Sequence, residues 1–578
     1  MVRLSARGLA CCGLLGLLVS SVEAVGTTVH LNYSTYVGTE QPDTGVTQWL
    51  GIRYAAPPLG DLRFAPPQDP VVNKTVQIAD EHGPYCLATN GSPDATATSE
   101  DCLFLDVYAP TNARAGSHAP SNTSSNTSSN TSASAASSAG LLPVYLFIQG
   151  GGFNTNSNPN YNGTGLITAA NHSILVVTLN YRVGPYGFLT NTDPAARISP
   201  NNGLLDQRKA MAWVQAYIAL FGGDPAHVVL GGDSAGAASI SLHLTAYGGR
   251  NDGLFHAAAA ESVSFAAVRT VAASQSQYDS LALRLGCVGN ATASAACLRA
   301  KTAEEVQQVN YNTPFPGAAA PPLFMYGPVV DGDLVRDVTY TAYAQGRFIH
   351  GVPVLIGDDA NGGTIFTPAN TTTLAQSNMF MQNQFPLISL AAYADINALY
   401  PNPNASACPA EGCYWRQVSN VYGEARYMCP GLYISSLYAA ASASSLGVAK
   451  SYAYLWNVSD PTQAAEGYGV EHTIEINAIW GPEYTNGDAP ASYYPGGVNA
   501  AAVPVAQGYW TSFIRTYNPN TYRYPGSAEW AAYDAAGGGQ GARLVVGTGG
   551  TTEMQELKGS ALMERCEFWE GIGASIAQ

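Results

Sequence analysis

HVVLGGDSAGAASISLHL, from His227 to Leu244, is the stretch that decides the fold of this chain. A short β-branched run ends in paired glycines. A serine follows, and a run of small and apolar residues then suits a helix. The pattern Gly232-Asp233-Ser234-Ala235-Gly236 is G-x-S-x-G between a strand and a helix. That setting forces the serine into a strained turn and lifts its hydroxyl clear of the sheet. Glycines on either side remove the clash between strand and helix. Among 60 glycines the pattern alone is weak. Its place between HVVL and AASISLHL makes it a nucleophile candidate rather than a structural turn.

Working outward, PVYLFI, SILVVTLN, VPVLIG and SYAYLW are further short β-branched or aromatic runs bounded by Gly, Asn or Pro. GLLDQRKAMAWVQAYIALFG lies between two of the strands, with Met211, Val214, Ile218 and Phe221 at helical spacing. Strand and helix in alternation predict an α/β fold with a large, mostly parallel central sheet flanked by helices. Sites in such sheets lie at the carboxyl ends of the strands. Gly150-Gly151-Gly152-Phe153 follows the strand LFIQ. Glycines there let backbone N–H groups meet a developing oxyanion, together with the amide after the serine. His472, in Tyr468-Gly469-Val470-Glu471-His472, follows the late strand SYAYLW, a suitable place for a general base.

The rest of the chain bounds where such chemistry takes place. The formal charge of −16 argues against nucleic acid or an anionic membrane as partner. The N-terminus carries Arg3 and Arg7, then an apolar run from Leu9 to Val19, then Val22 and Ala24 before a cleavage point. Residues 1–24 are therefore expected to be a secretory signal peptide. No later apolar run has spanning length, so no stable membrane anchor is expected. Eight cysteines remain in the mature chain, an even number suited to an oxidising compartment. Their spacing does not resemble a zinc site. Twelve N-x-[ST] sequons, among them Asn32, Asn73, Asn162, Asn290 and Asn457, predict N-glycans on a secreted, extracellular protein. SNTSSNTSSNTSASAASSAG, Ser121 to Gly140, is low in complexity and cannot repay its ordering entropy. It is read as a glycosylated insertion, at about 112–140, in a single domain spanning 25–578. It separates LFLDVYAP and LPVYLFIQ, which can be neighbouring strands.

These residues resemble the type-B carboxylesterase/lipase family, which includes cholinesterases and secreted fungal lipases. QWLGIRYAAPPLGDLRFAPP, SEDCLFLDVYAP, LNYRVGPYGFL and NNGLLDQRKAMAWVQAYIALFGGDPAHVVLGGDSAGAAS carry the resemblance, which runs from about Trp49 to the C-terminus. It implies an α/β-hydrolase fold and a serine carboxylic-ester hydrolase with no cofactor and no metal, acting on a small-molecule or lipid ester. It implies Ser234 as nucleophile, His472 as base, and Gly151, Gly152 and Ala235 as oxyanion-hole donors. It further implies Cys86–Cys102 and Cys287–Cys297 disulfides and an Arg63–Glu100 ion pair. For the last four cysteines we take Cys408–Cys413 and Cys429–Cys566.

Two departures stand out. No tryptophan lies between Cys86 and Cys102, so choline esters are not the expected substrate. The family's triad glutamate falls, in GDDANGGT, on Gly362. Asp359 is the tentative replacement; Asp358, Glu261 or a water molecule are the others. The loss favours a slow enzyme, or alternatively a catalytically impaired binding or adhesion protein of the same fold. With no long apolar lid between Cys86 and Cys102, short or medium acyl chains are expected. Deleting Ser121 to Ser138 should leave ester hydrolysis near the parent rate. Loss of activity in a folded deletion variant would show that the insertion reaches the site.

Overall fold

The computed structural model describes residues 25–91, 97–116, 140–443, 449–533 and 541–578. The expected signal peptide, residues 1–24, and most of the Ser-Asn-Thr insertion lie outside them. Eleven strands form one sheet: β1 (Thr39–Gln41), β2 (Val46–Arg53), β3 (Phe104–Pro110), β4 (Leu142–Ile148), β5 (Leu175–Leu179), β6 (Gly223–Asp233), β7 (Ala257–Glu261), β8 (Val354–Asp359), β9 (Ser451–Asn457), β10 (Ala542–Gly547) and β11 (Thr551–Glu556). Their spatial order is β11-β10-β9-β8-β7-β6-β4-β5-β3-β2-β1. The seven strands from β10 to β5 run parallel, and the strands outside them pair antiparallel. LFLDVYAP and LPVYLFIQ are therefore not neighbours. β5 lies between them, because β5 pairs with both β3 and β4.

The central strands are apolar on both faces because helices cover both. On β4, Val144, Leu146 and Ile148 enter one core, while Tyr145 and Phe147 enter the other. That alternation is the two-residue period of a strand buried on both sides. Helix α1 (Asn202–Tyr217) covers the first face; Met211, Val214, Ile218 and Phe221 are fully buried there, the last two in a turn just past the helix. Helix α2 (Ala235–Gly249) packs on the same face behind the G-x-S-x-G turn, and α3 (Ala502–Thr516) covers the other.

Four disulfides tie the loops: Cys86–Cys102, Cys287–Cys297, Cys408–Cys413 and Cys429–Cys566. Arg63 pairs with Glu100 in the interior, its Nη2 2.6 Å from Oε2, and donates to the carbonyls of Leu298 and Lys301. This pair fastens the segment between the first two cysteines to the Cys287–Cys297 loop. The parallel strands direct their carboxyl ends, Asp233, Glu261, Asp359 and Asn457, to one edge of the sheet. The candidate site is built on that edge.

Candidate active site

β6 ends at Asp233 and α2 begins at Ala235, so a single residue makes the turn. Ser234 takes φ 51° and ψ −114°, a conformation that ordinary residues avoid. Close packing enforces it. A Cβ on Gly236 would stand 1.9 Å from the Ile148 carbonyl oxygen, and one on Gly232 2.8 Å from the same atom. The amide of Ser234 donates to the Glu261 carbonyl at the end of β7. The elbow is thus gripped from both neighbouring strands.

The glycine loop after β4 lies directly on this turn. A Cβ on Gly150 would come within 2.9 Å of the Ser234 Cβ. Gly151 and Gly152 take φ +110° and +61°, and side chains there would strike the Thr155 carbonyl and the Phe324 ring. Among the described residues, the amides of Gly151, Gly152 and Ala235 donate to no protein acceptor. Unused N–H groups beside a raised serine are what a tetrahedral oxyanion requires.

His472 follows β9 and is buried. Its ring stacks on Tyr427, with centroids 4.1 Å apart, and meets the edge of Phe366 at 5.1 Å. Tyr427 sits on a π-helical turn, Glu424–Met428, together with Arg426. Neither ring nitrogen of His472 makes a hydrogen bond among the described residues, to Ser234 or to any carboxylate. Burial pushes its pKa down to about 3, and the Arg426 charge adds to the effect. The imidazole is a neutral ring in an aromatic slot.

A Cβ built on Gly362 would lie 3.9 Å from Nδ1 of His472 and 3.8 Å from Tyr427. The position therefore faces the imidazole and carries nothing. A cavity of about 30 Å³ opens beside it, lined among others by Gly362, Asp359, Ser262 and Tyr427. That is room for a water molecule or two.

Asp359, the tentative acid, is directed at the next peptide rather than at the ring. Its Oδ2 accepts from the Thr473 amide at 2.6 Å and from the Ser262 hydroxyl at 3.2 Å. It is fully buried against Glu475, which accepts from the Tyr454 hydroxyl. Burial and the Glu475 charge raise Asp359 well above the carboxylate range, and burial raises Glu475. The two titrate as a coupled pair, with the stronger upward push on Asp359. A carboxyl bonded to the Thr473 amide and not to His472 gives no support to the triad role; it anchors the His472 loop at Thr473, whose φ is +62°. Glu261 is turned to the other face of the sheet, accepting from Trp510 Nε1 at 2.7 Å and Tyr145. Asp358 is buried, and desolvation raises it to about 8. No hydrogen bond joins either of them to His472.

Set beside known proteins, residues 26–569 match the model of the carboxylesterase family. The chain belongs to the carboxylesterase family. Secreted lipase 4 of Gibberella zeae is 28% identical over 563 residues, covering 94% of this chain and 91% of that protein. Lipase 1 of Geotrichum candidum is 30% identical over 442 residues, 68% of this chain and 74% of that one. The crystal structure of Aspergillus niger EstA superposes with a TM-score of 0.85 at 38% identity, over 96% of this chain and 99% of that one. The fold is thus the α/β-hydrolase fold, and this member of a carboxylesterase family carries glycine where a side chain would face its late histidine.

Sequence reasoning missed the aromatic slot. Nothing in RYMCPG or TIFTP announces that Tyr427 and Phe366 close on a histidine 45 or more positions later in the chain. Glu475 did carry a signal, a carboxylate three residues after His472 in EHTIEI. Gly362 has no left-handed φ, and its nearest neighbours stand 3.7–3.9 Å from an added Cβ, so a side chain fits. Gly362→Glu should raise kcat on p-nitrophenyl butyrate by orders of magnitude, up to about 10⁴-fold. The base must be neutral to act. In the parent it stays neutral, so kcat/KM should not fall between about pH 8 and pH 5. Glutamate would stabilise the imidazolium, raise the pKa, and bring an acid limb into that window. An unchanged rate and a flat profile in the folded variant would show that the carboxylate was not the limiting loss.

Proposed function

We propose that this protein is a secreted, glycosylated serine carboxylic-ester hydrolase that works with Ser234 and His472 and without a triad carboxylate. The observation that carries the reading is the strained Ser234 turn beside three unused amides. A backbone held at φ 51° costs about 1–3 kcal/mol, and such strain gathers at working sites. A purely adhesive surface has no use for it.

In this reading the Ser234 hydroxyl attacks the ester carbonyl and passes its proton to His472. The oxyanion rests on the amides of Gly151, Gly152 and Ala235. The alcohol leaves with the proton from His472, and the acyl group remains on Ser234. Water, deprotonated by His472, then releases the acid. With nothing bonded to Nδ1, the ring is held by Tyr427 and Phe366 alone, and neither tautomer is preferred. The imidazolium also lacks a counter-charge. Loss of that support costs about 10⁴-fold in well-studied triads, so the enzyme is slow. A water molecule in the cavity beside Gly362 is the remaining candidate to orient the ring.

Phe324, packed against Gly152, supports a preference for short acyl chains. Secretion is supported by the four disulfides and by exposed sequon asparagines such as Asn73, Asn290 and Asn457. Among the described residues no helix is long and apolar enough to cross a membrane. The bare Gly362 favours one other reading, a binding or adhesion protein that retains an unused pocket. A fluorophosphonate probe separates the two. Label should appear on Ser234 and vanish in Ser234→Ala. Folded parent protein that takes no label would leave the binding reading.

A further inference from the structure

Beside the oxyanion loop lies a second cavity, bounded by Gly152, Phe324, Ser274, Arg269 and Arg426. Its charge is unusual. Arg269, from the short strand Arg269–Thr270, stacks its guanidinium 3.2 Å from the Phe315 ring centroid. Among the described residues the guanidinium donates no hydrogen bond and has no ion-pair partner, and its Nη2 is shut off from solvent. Arg426 is only 6% exposed; its Nε donates to Ser264, and no carboxylate pairs with it. The Ser274 hydroxyl, 1% exposed, also lacks a partner. No aspartate or glutamate lines the cavity.

Two other deep guanidiniums are treated differently. Arg63 is met by Glu100, and Arg182 by Asp206 through two hydrogen bonds. A charge withdrawn from water without a counter-charge is costly; Arg426 is buried and Arg269 is partly so. Two such charges facing one space, with the free hydroxyl of Ser274 from the helix Val271–Arg284, form a site waiting for an anion. The planar fork of arginine suits a carboxylate. The cavity holds about 30 Å³, enough for a carboxylate but not for an extended chain. Gly152 forms part of its wall, so it adjoins the place where the ester carbonyl would sit.

We propose that this cavity receives a carboxylate carried on the acyl part of the substrate, so that the protein acts on half-esters of short dicarboxylic acids. This rests on the serine-hydrolase reading above. The half-ester and water give the dicarboxylic acid and the alcohol. The acyl carbon exchanges its alkoxy oxygen for Ser234 Oγ, then Oγ for the oxygen of water; His472 carries the proton in both steps. The free carboxylate stays ionised throughout. An anion here also offsets the Arg426 charge that disfavours imidazolium formation at His472.

The test compares monoethyl glutarate with ethyl pentanoate, of like length but neutral, by pH-stat. Titration calorimetry on Ser234→Ala follows binding of the same two esters. The parent should prefer the half-ester by about ten-fold or more in kcat/KM, the scale of a charge-assisted hydrogen bond. Arg269→Gln should erase the preference, and Arg269→Lys should keep part of it. Arg426→Gln serves the same purpose if the Arg269 variants do not fold. Equal or faster hydrolysis of ethyl pentanoate by the parent would overturn the proposal while leaving the hydrolase intact. If neither ester is hydrolysed, Arg269-dependent binding of monoethyl glutarate to Ser234→Ala would uphold the anion site and remove the hydrolase reading. Absence of binding in that case would overturn the site.

Discussion

A backbone bent to φ 51° and ψ −114° at Ser234 is the constraint on which the rest of the site depends. It survives only because the sheet over-determines it. β4 presses the Ile148 carbonyl into the gap between Gly232 and Gly236, and β7 supplies the Glu261 carbonyl to the Ser234 amide. Both neighbours must be parallel to β6 and in this register for the turn to close. The same register brings the glycine loop after β4 onto the serine. The proposed nucleophile and the proposed oxyanion donors are therefore not separate inventions; they are two consequences of one packing contact.

The opposite half of the site has lost its counterpart. In most settings a buried imidazole that must become charged is given a carboxylate. Here the candidate carboxylates are engaged elsewhere. Asp359 is buried against Glu475, which raises it, and spends its Oδ2 on Thr473 and Ser262. Glu261 faces Trp510 across the sheet. In their place stand two aromatic rings and, nearby, the positive charge of Arg426. Such surroundings favour a neutral ring, which in the proposed mechanism takes a proton from serine but is poorly compensated once it has done so.

Much of this was legible in the sequence, and the reasons differ from element to element. HVVLGGDSAGAAS could be read because strand, turn and helix are local, and the glycines mark where backbones touch. The bare position at Gly362 could be read because a long resemblance fixed the frame around it. The place of β5 between LFLDVYAP and LPVYLFIQ could not, since strand order depends on crossovers that leave no local trace. Nor could the fate of Asp359. A carboxylate three residues from the expected position looks like a substitute, but one peptide amide at 2.6 Å decides its direction. The unpaired guanidiniums of Arg269 and Arg426 were equally hidden, because being unpaired is a property of the packing around them.

The central claim, a serine nucleophile served by a histidine that no carboxylate supports, is tested most directly by the ring itself. ¹⁵N NMR of histidine-labelled protein, with the resonance assigned by loss in His472→Gln, reports protonation and tautomer together. The account predicts that His472 stays neutral down to about pH 4, with both nitrogens in intermediate, tautomer-averaged positions. A ring that titrates near neutral pH with its proton fixed on Nδ1 would contradict it, for that is the behaviour of an imidazole paired with a carboxylate.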